Sequence, residues 1–138
     1  MDIALAHLGF DFYDRPLLIG GRAMEFYGIR PSGPDIDLVA SPADHARLTE
    51  QYPTQVKDVY GDLGVIHGPF EVWNTICTFD YAALVPGAVE DGDHLVIAID
   101  NLLMLKAMAM QSGEKSRRDA ELIGNFIRTQ AYARKRQT

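Results

Sequence analysis

The sequence predicts a mixed α/β fold: a short sheet of mixed strand direction, flanked by helices. Three observations carry that reading. Short apolar runs of strand length alternate with longer segments of helical period. Recognisable cap and breaker residues open and close the helical segments. The β-rich stretches in the middle follow one another closely, which favours antiparallel pairing inside a sheet that also carries helical connections.

Taken in order, residues 3–8 have the pattern of a short amphipathic helix. Residues 16–19 form a buried strand that ends at Gly20-Gly21, and Ala23, Met24, Phe26 and Tyr27 then recur at helical spacing. Gly28, Pro31, Gly33 and Pro34 break that helix into a loop. Residues 35–39 alternate polar and apolar, as a half-buried strand does. Ser41-Pro-Ala-Asp44 is a helix start, with Ser41 as cap, Pro42 at the first helical position and Asp44 able to return a bond to the cap. This helix is expected to end near Tyr52-Pro53. Residues 56–60, 65–67 and 70–77 read as strands, 79–84 as helical before Pro86, and 95–99 as a last strand. Two helices, 100–111 and 117–133, complete the chain, the second opened by a capping box from Ser116 to Asp119.

At 138 residues, without repeats or a convincing linker, a single domain over 1–138 is expected. Hydrophobic residues at 47% and charged residues at 23% exclude a disordered chain. Residues 95–110 are the most apolar stretch, but Asp100 and Lys106 interrupt it, so no membrane span is expected. Asp2 stands where a signal peptide would be basic, and the one cysteine, Cys77, excludes an internal disulfide. A cytoplasmic location follows. Cys77 reads as a small core residue, and the four histidines lack zinc-ligand spacing.

The formal charge of −6 argues against a general binder of polyanions, and the basic run Arg134-Lys135-Arg136 reads as a solvated tail. If an acidic site handles phosphate, a cation must reverse the local potential. Asp35-Ile-Asp-Leu38 provides for one. Residues two apart on a strand share a face, so Asp35 and Asp37 project together while Ile36 and Leu38 face the core. Two adjacent carboxylates repel unless a hard divalent cation sits between them, and Mg²⁺ is held in this way together with substrate phosphate. Gly20 and Gly21, at the junction of strand and helix, let backbone approach a ligand closely. Together these features describe a phosphate chain held between a glycine turn and metal-loaded aspartates.

Gly20-Gly21, thirteen intervening residues and Asp35-Ile-Asp-Leu38 resemble the signature of the DNA polymerase β-like nucleotidyltransferase superfamily. Tyr27-Gly-Ile-Arg30, Leu102-Leu-Met-Leu-Lys106 and Arg117-Arg-Asp119 extend the resemblance toward the small AbiEii/AbiGii-type toxin nucleotidyltransferases. The resemblance implies a minimal nucleotidyltransferase fold and transfer of a nucleoside monophosphate from a nucleoside triphosphate to an acceptor hydroxyl. It implies two Mg²⁺ ions on Asp35, Asp37 and a third acid. Glu71, in apolar–acid–apolar Phe70-Glu-Val72, is the choice for that acid, and Asp80, closer to a helix start, is the alternative. Relatives of this type commonly have Asp at the third-acid position and Ser at position 21.

The same resemblance makes Gly20, Gly21, Arg22, Arg30 and Lys106 the nucleotide-binding residues, with Lys106 reaching a phosphate or a carboxylate. The acceptor, whether RNA, protein or a small molecule, is left open, and a homodimer or a protein partner could complete the cleft. The rival expectation is a catalytically silent module of the same fold, a toxin–antitoxin or regulatory component. A third is a small metal-dependent phosphohydrolase.

Overall fold

The computed structural model describes residues 1–137. The chain divides into two compact units, Met1–Ala98 and the chain from Ile99 onward. The first is a mixed α/β unit. Its strands are β1 (Leu17–Leu18), β2 (Ile36–Val39), β3 (Val56–Val59), β4 (Asp62–His67), β5 (Phe70–Trp73), β6 (Thr75–Ile76), β7 (Phe79–Asp80), β8 (Val89–Asp91) and β9 (His94–Val96). Between them lie a 3₁₀ turn (Leu5–Leu8) and helices α1 (Gly20–Phe26), α2 (Pro42–Gln51) and α3 (Tyr81–Leu84).

Seven strands form one sheet in the order β3-β4-β5-β2-β1-β9-β8, and β6 and β7 pair separately. β2 runs parallel to β5 and β1 parallel to β9, while β1–β2, β3–β4, β4–β5 and β8–β9 are antiparallel. The sheet is therefore mixed, as expected, but wider than the short one the sequence suggests. Its central strands are apolar: Leu17, Leu18, Leu38, Val39 and Val72 are fully buried. Such strands, covered on both faces, read as continuous hydrophobic runs. Trp73 lies across Gly64 of β4, where a Cβ would come within 2.8 Å of the indole, so only glycine leaves room for the ring.

α2 starts as its caps dictate. Ser41 Oγ accepts from Asp44 N at 3.3 Å, and Pro42 opens the helix. Asp44 does not return a bond to the cap. Its carboxylate, completely buried, instead accepts from Tyr13 N, Asp14 N and Arg47 Nη1. On the same helix, His45 contacts the Val72 carbonyl through Nε2 at 3.2 Å, and its burial lowers its pKa below 6.5 despite backbone hydrogen bonds that raise it.

Cys77 is not a core residue. It forms, with Thr78, the two-residue turn joining β6 to β7, both in the left-handed region at φ 49° and 71°. Asp62 holds this turn by accepting from Thr75 Oγ1 at 2.6 Å and from the backbone N–H groups of Cys77 and Thr78. Desolvation and the Asp62 charge both push the Cys77 thiol pKa up, which keeps it protonated.

The second unit contains α4 (Ile99–Met108), a 3₁₀ turn (Met110–Ser112) and α5 (Glu114–Gln137). Leu102, Leu105 and Ile123 are buried. Ser116 lies inside α5, so the expected capping box at Ser116 does not form. The helix begins earlier, at Glu114, and the nearly buried carboxylate of Asp119 meets Lys106 Nζ at 2.9 Å. Among the described residues no helix is long and apolar enough to cross a membrane.

Candidate functional site

The site expected around Gly20 and Asp37 is built by β1, α1 and β2. Antiparallel pairing sets Leu17 opposite Val39 and Leu18 opposite Leu38. The next pair follows from the same register, with Ile19 N donating to the Asp37 carbonyl at 2.9 Å. The chain then turns sharply into α1 at Gly20, whose φ is +65°. A Cβ at Gly20 would lie 2.7 Å from Asp37 Oδ2 and 3.4 Å from Asp37 Cβ. The carboxylate of Asp37 thus lies against the glycine bend itself, in space that any other residue would fill.

Gly21 faces a different group. A Cβ there would come 3.6 Å from Arg30 Nη1 and from Ser32 Cβ. Arg30 Nη1 donates to the Pro31 carbonyl at 2.8 Å. The loop is tied back to α1 by Glu25, which accepts from Ser32 N and Oγ at 3.4 and 3.3 Å. One guanidinium and one hydroxyl-bearing residue therefore stand beside the second glycine. Arg22, in the first turn of α1, has a buried Nε without a hydrogen-bond partner.

The third acid is placed by strand register. β2 and β5 run parallel with Ile36 opposite Phe70, Asp37 opposite Glu71 and Leu38 opposite Val72. Ile36, Leu38, Phe70 and Val72 are buried on one face, so Asp37 and Glu71 share the other. Neighbouring strands lie about 4.8 Å apart, which makes the two acids lateral neighbours. Both are half-buried, whereas Asp35 precedes the strand and is exposed. Asp80, the alternative acid, caps α3 by accepting from Ala83 N at 2.9 Å. Among the described residues no three His, Cys, Asp or Glu side chains gather into a group able to hold a metal ion.

Lys106 does meet a carboxylate, that of Asp119 within the second unit. Ser32 is the residue beside the glycines that sequence reading passes over, because a serine in a Pro/Gly loop has no periodic or motif signal. Compared with known protein families, curated proteins and solved structures, the chain has no match.

Proposed function

We propose that the chain is a cytoplasmic, Mg²⁺-dependent nucleotidyltransferase that moves a nucleoside monophosphate from a nucleoside triphosphate to an acceptor hydroxyl, releasing pyrophosphate. The close approach of Asp37 to the Gly20 bend carries this reading, because it sets a carboxylate and a side-chain-free backbone against one small volume. The donor chemistry suits the ion. Mg²⁺ prefers hard oxygen ligands and is usually held by one or two carboxylates plus substrate phosphate, without an all-protein cage. Asp37 and Glu71 are such a pair by register, with Asp35 two residues before Asp37.

When bound, the ion offsets negative charge on the transferred phosphoryl group and the leaving pyrophosphate. Asp35 and Asp37 would hold it together with oxygens of the substrate phosphates. Glu71 would complete the metal site or take the proton of the acceptor hydroxyl. Gly20 and Gly21 admit the β- and γ-phosphates against the backbone, and Arg22 and Arg30 add positive charge beside them. Positioning and charge complementarity supply the rate, with no covalent step on the protein. The acceptor is an RNA, a protein or a small molecule.

A second reading is a catalytically silent nucleotide- or partner-binding module, a toxin–antitoxin or regulatory component. Two observations favour it: the absence of a three-acid cluster among the described residues, and glycine rather than a hydroxyl residue at position 21. Incubation with Mg²⁺ and α-labelled nucleoside triphosphates decides between them. Transfer of label that is lost in Asp37→Asn and reduced at least about a hundredfold in Glu71→Gln supports the enzyme. Saturable binding without transfer supports the module, and no binding at all removes both.

A further inference from the structure

The two-residue turn between β3 and β4 is formed by Tyr60 and Gly61, at φ 53° and 92°. A turn with both residues left-handed belongs to the type that favours Asn-Gly, and Gly61 satisfies it. Tyr60 does not. A bulky residue held there costs on the order of 1 kcal/mol. The fold recovers nothing from the ring, which is 103% exposed. Next to it stands the exposed carboxylate of Asp58, which accepts from Gly61 N at 2.8 Å and keeps further acceptor capacity outward.

The second unit has a receptor of matching character. A groove of about 580 Å³ runs between α4 and α5, lined by Leu103, Ala107, Met110, Ala120 and Gly124 and edged by Arg128. Arg128 is exposed and donates to the Asn125 carboxamide. Glu121 is the one acid on the edge. Beyond Arg128 the helix adds Tyr132, Arg134, Lys135 and Arg136, all exposed, and no acid. Charge is divided between the units in the same sense. Residues 1–98 carry fifteen Asp and Glu against five Lys and Arg, and residues 99–138 four against eight. The formal charges are −10 and +4.

We propose that the α4–α5 groove receives the β3–β4 turn of a second copy of this chain, with Tyr60 as the inserted anchor and Asp58 facing Arg128. Tyrosine and arginine are the residues that most often dominate an interface, and an apolar pocket with a cationic edge suits an aromatic ring beside a carboxylate. A polyanion would also be attracted by the end of α5. The acidic unit of another copy offers charge of the same sign, and ribonuclease treatment tells the two apart. Copies can exchange turns reciprocally into a closed dimer or continue head to tail, and either arrangement uses the same contact.

Sedimentation of the full chain over about 1–100 μM tests this, with two variants chosen to preserve the fold. Tyr60→Asn supplies the residue the turn prefers. Gly124→Leu enters open space, since a Cβ there meets nothing within 4 Å, and it raises helix propensity while filling the groove. The expected result is concentration-dependent association, weakened by salt, and weakened about tenfold or more by each variant while circular dichroism and urea unfolding stay intact. A chain that remains monomeric throughout overturns the proposal. So does association that neither variant changes, or that disappears on ribonuclease treatment.

Discussion

The centre of the sheet and the tip of its β3–β4 hairpin both bend through the left-handed region, and they fill that position oppositely. At Gly20 the residue is the one such a backbone favours, and the reason for it is internal: Asp37 occupies the space where a side chain would go. At Tyr60 the residue is one such a backbone disfavours, and nothing inside the fold touches its ring. The contrast teaches where to look for each explanation. A glycine with a close neighbour is accounted for by that neighbour, while the strained, fully solvated Tyr60 is what the proposed docking into a second copy would explain.

Breaking the central bend should have the largest effect. Gly20→Ala forces a Cβ onto the Asp37 carboxylate at positive φ and is expected to destabilise by about 2–3 kcal/mol in urea unfolding. In an Asp37→Ala background the same change should cost only the backbone penalty, about 1–2 kcal/mol, and that non-additivity measures the contact. Equal costs in both backgrounds would show that the carboxylate does not press on the bend.

A smaller effect is expected from pH beneath the same strands. His45 has a lowered pKa in the fold through burial, so the unfolded chain binds its proton more readily. Its contribution to stability is fully present above the unfolded pKa of 6.5 and falls as pH drops through that value toward the folded pKa. Urea midpoints measured on either side of that value should show the decline, and His45→Gln, which can still bond the Val72 carbonyl, should flatten it. The hairpin tip should give the smallest change and the opposite sign. Tyr60→Asn is expected to gain about 0.5–1 kcal/mol. A loss instead would mean that the ring has a partner within its own fold.

Much of this architecture is legible in the residues, and the exceptions have physical causes. Ser41 and Pro42 mark the start of α2 because capping is local chemistry. Asp44 looks like part of the same local signal, yet its carboxylate accepts from the backbone of residues thirty or more positions away, which no window of sequence contains. Asp119 misleads in the same way, since its carboxylate meets Lys106 on another helix. The turn at Cys77 and Thr78 escapes notice because neither residue is a usual turn former, and the acid that stabilises it, Asp62, sits on another hairpin. At the site, Gly20, Asp37 and Glu71 are accessible to pattern reading because strand periodicity assigns faces. The pairing of Asp37 with Glu71 depends on which strands neighbour each other, and that is a property of topology.

The contact of Trp73 with Gly64 equips the protein with an optical probe. The indole is the only one in the chain, and it belongs to the same strand face as Glu71, two residues away. Its fluorescence should therefore respond when charge or solvent changes around that carboxylate, so a ligand arriving there could be followed by emission intensity alone, without a dye or an isotope.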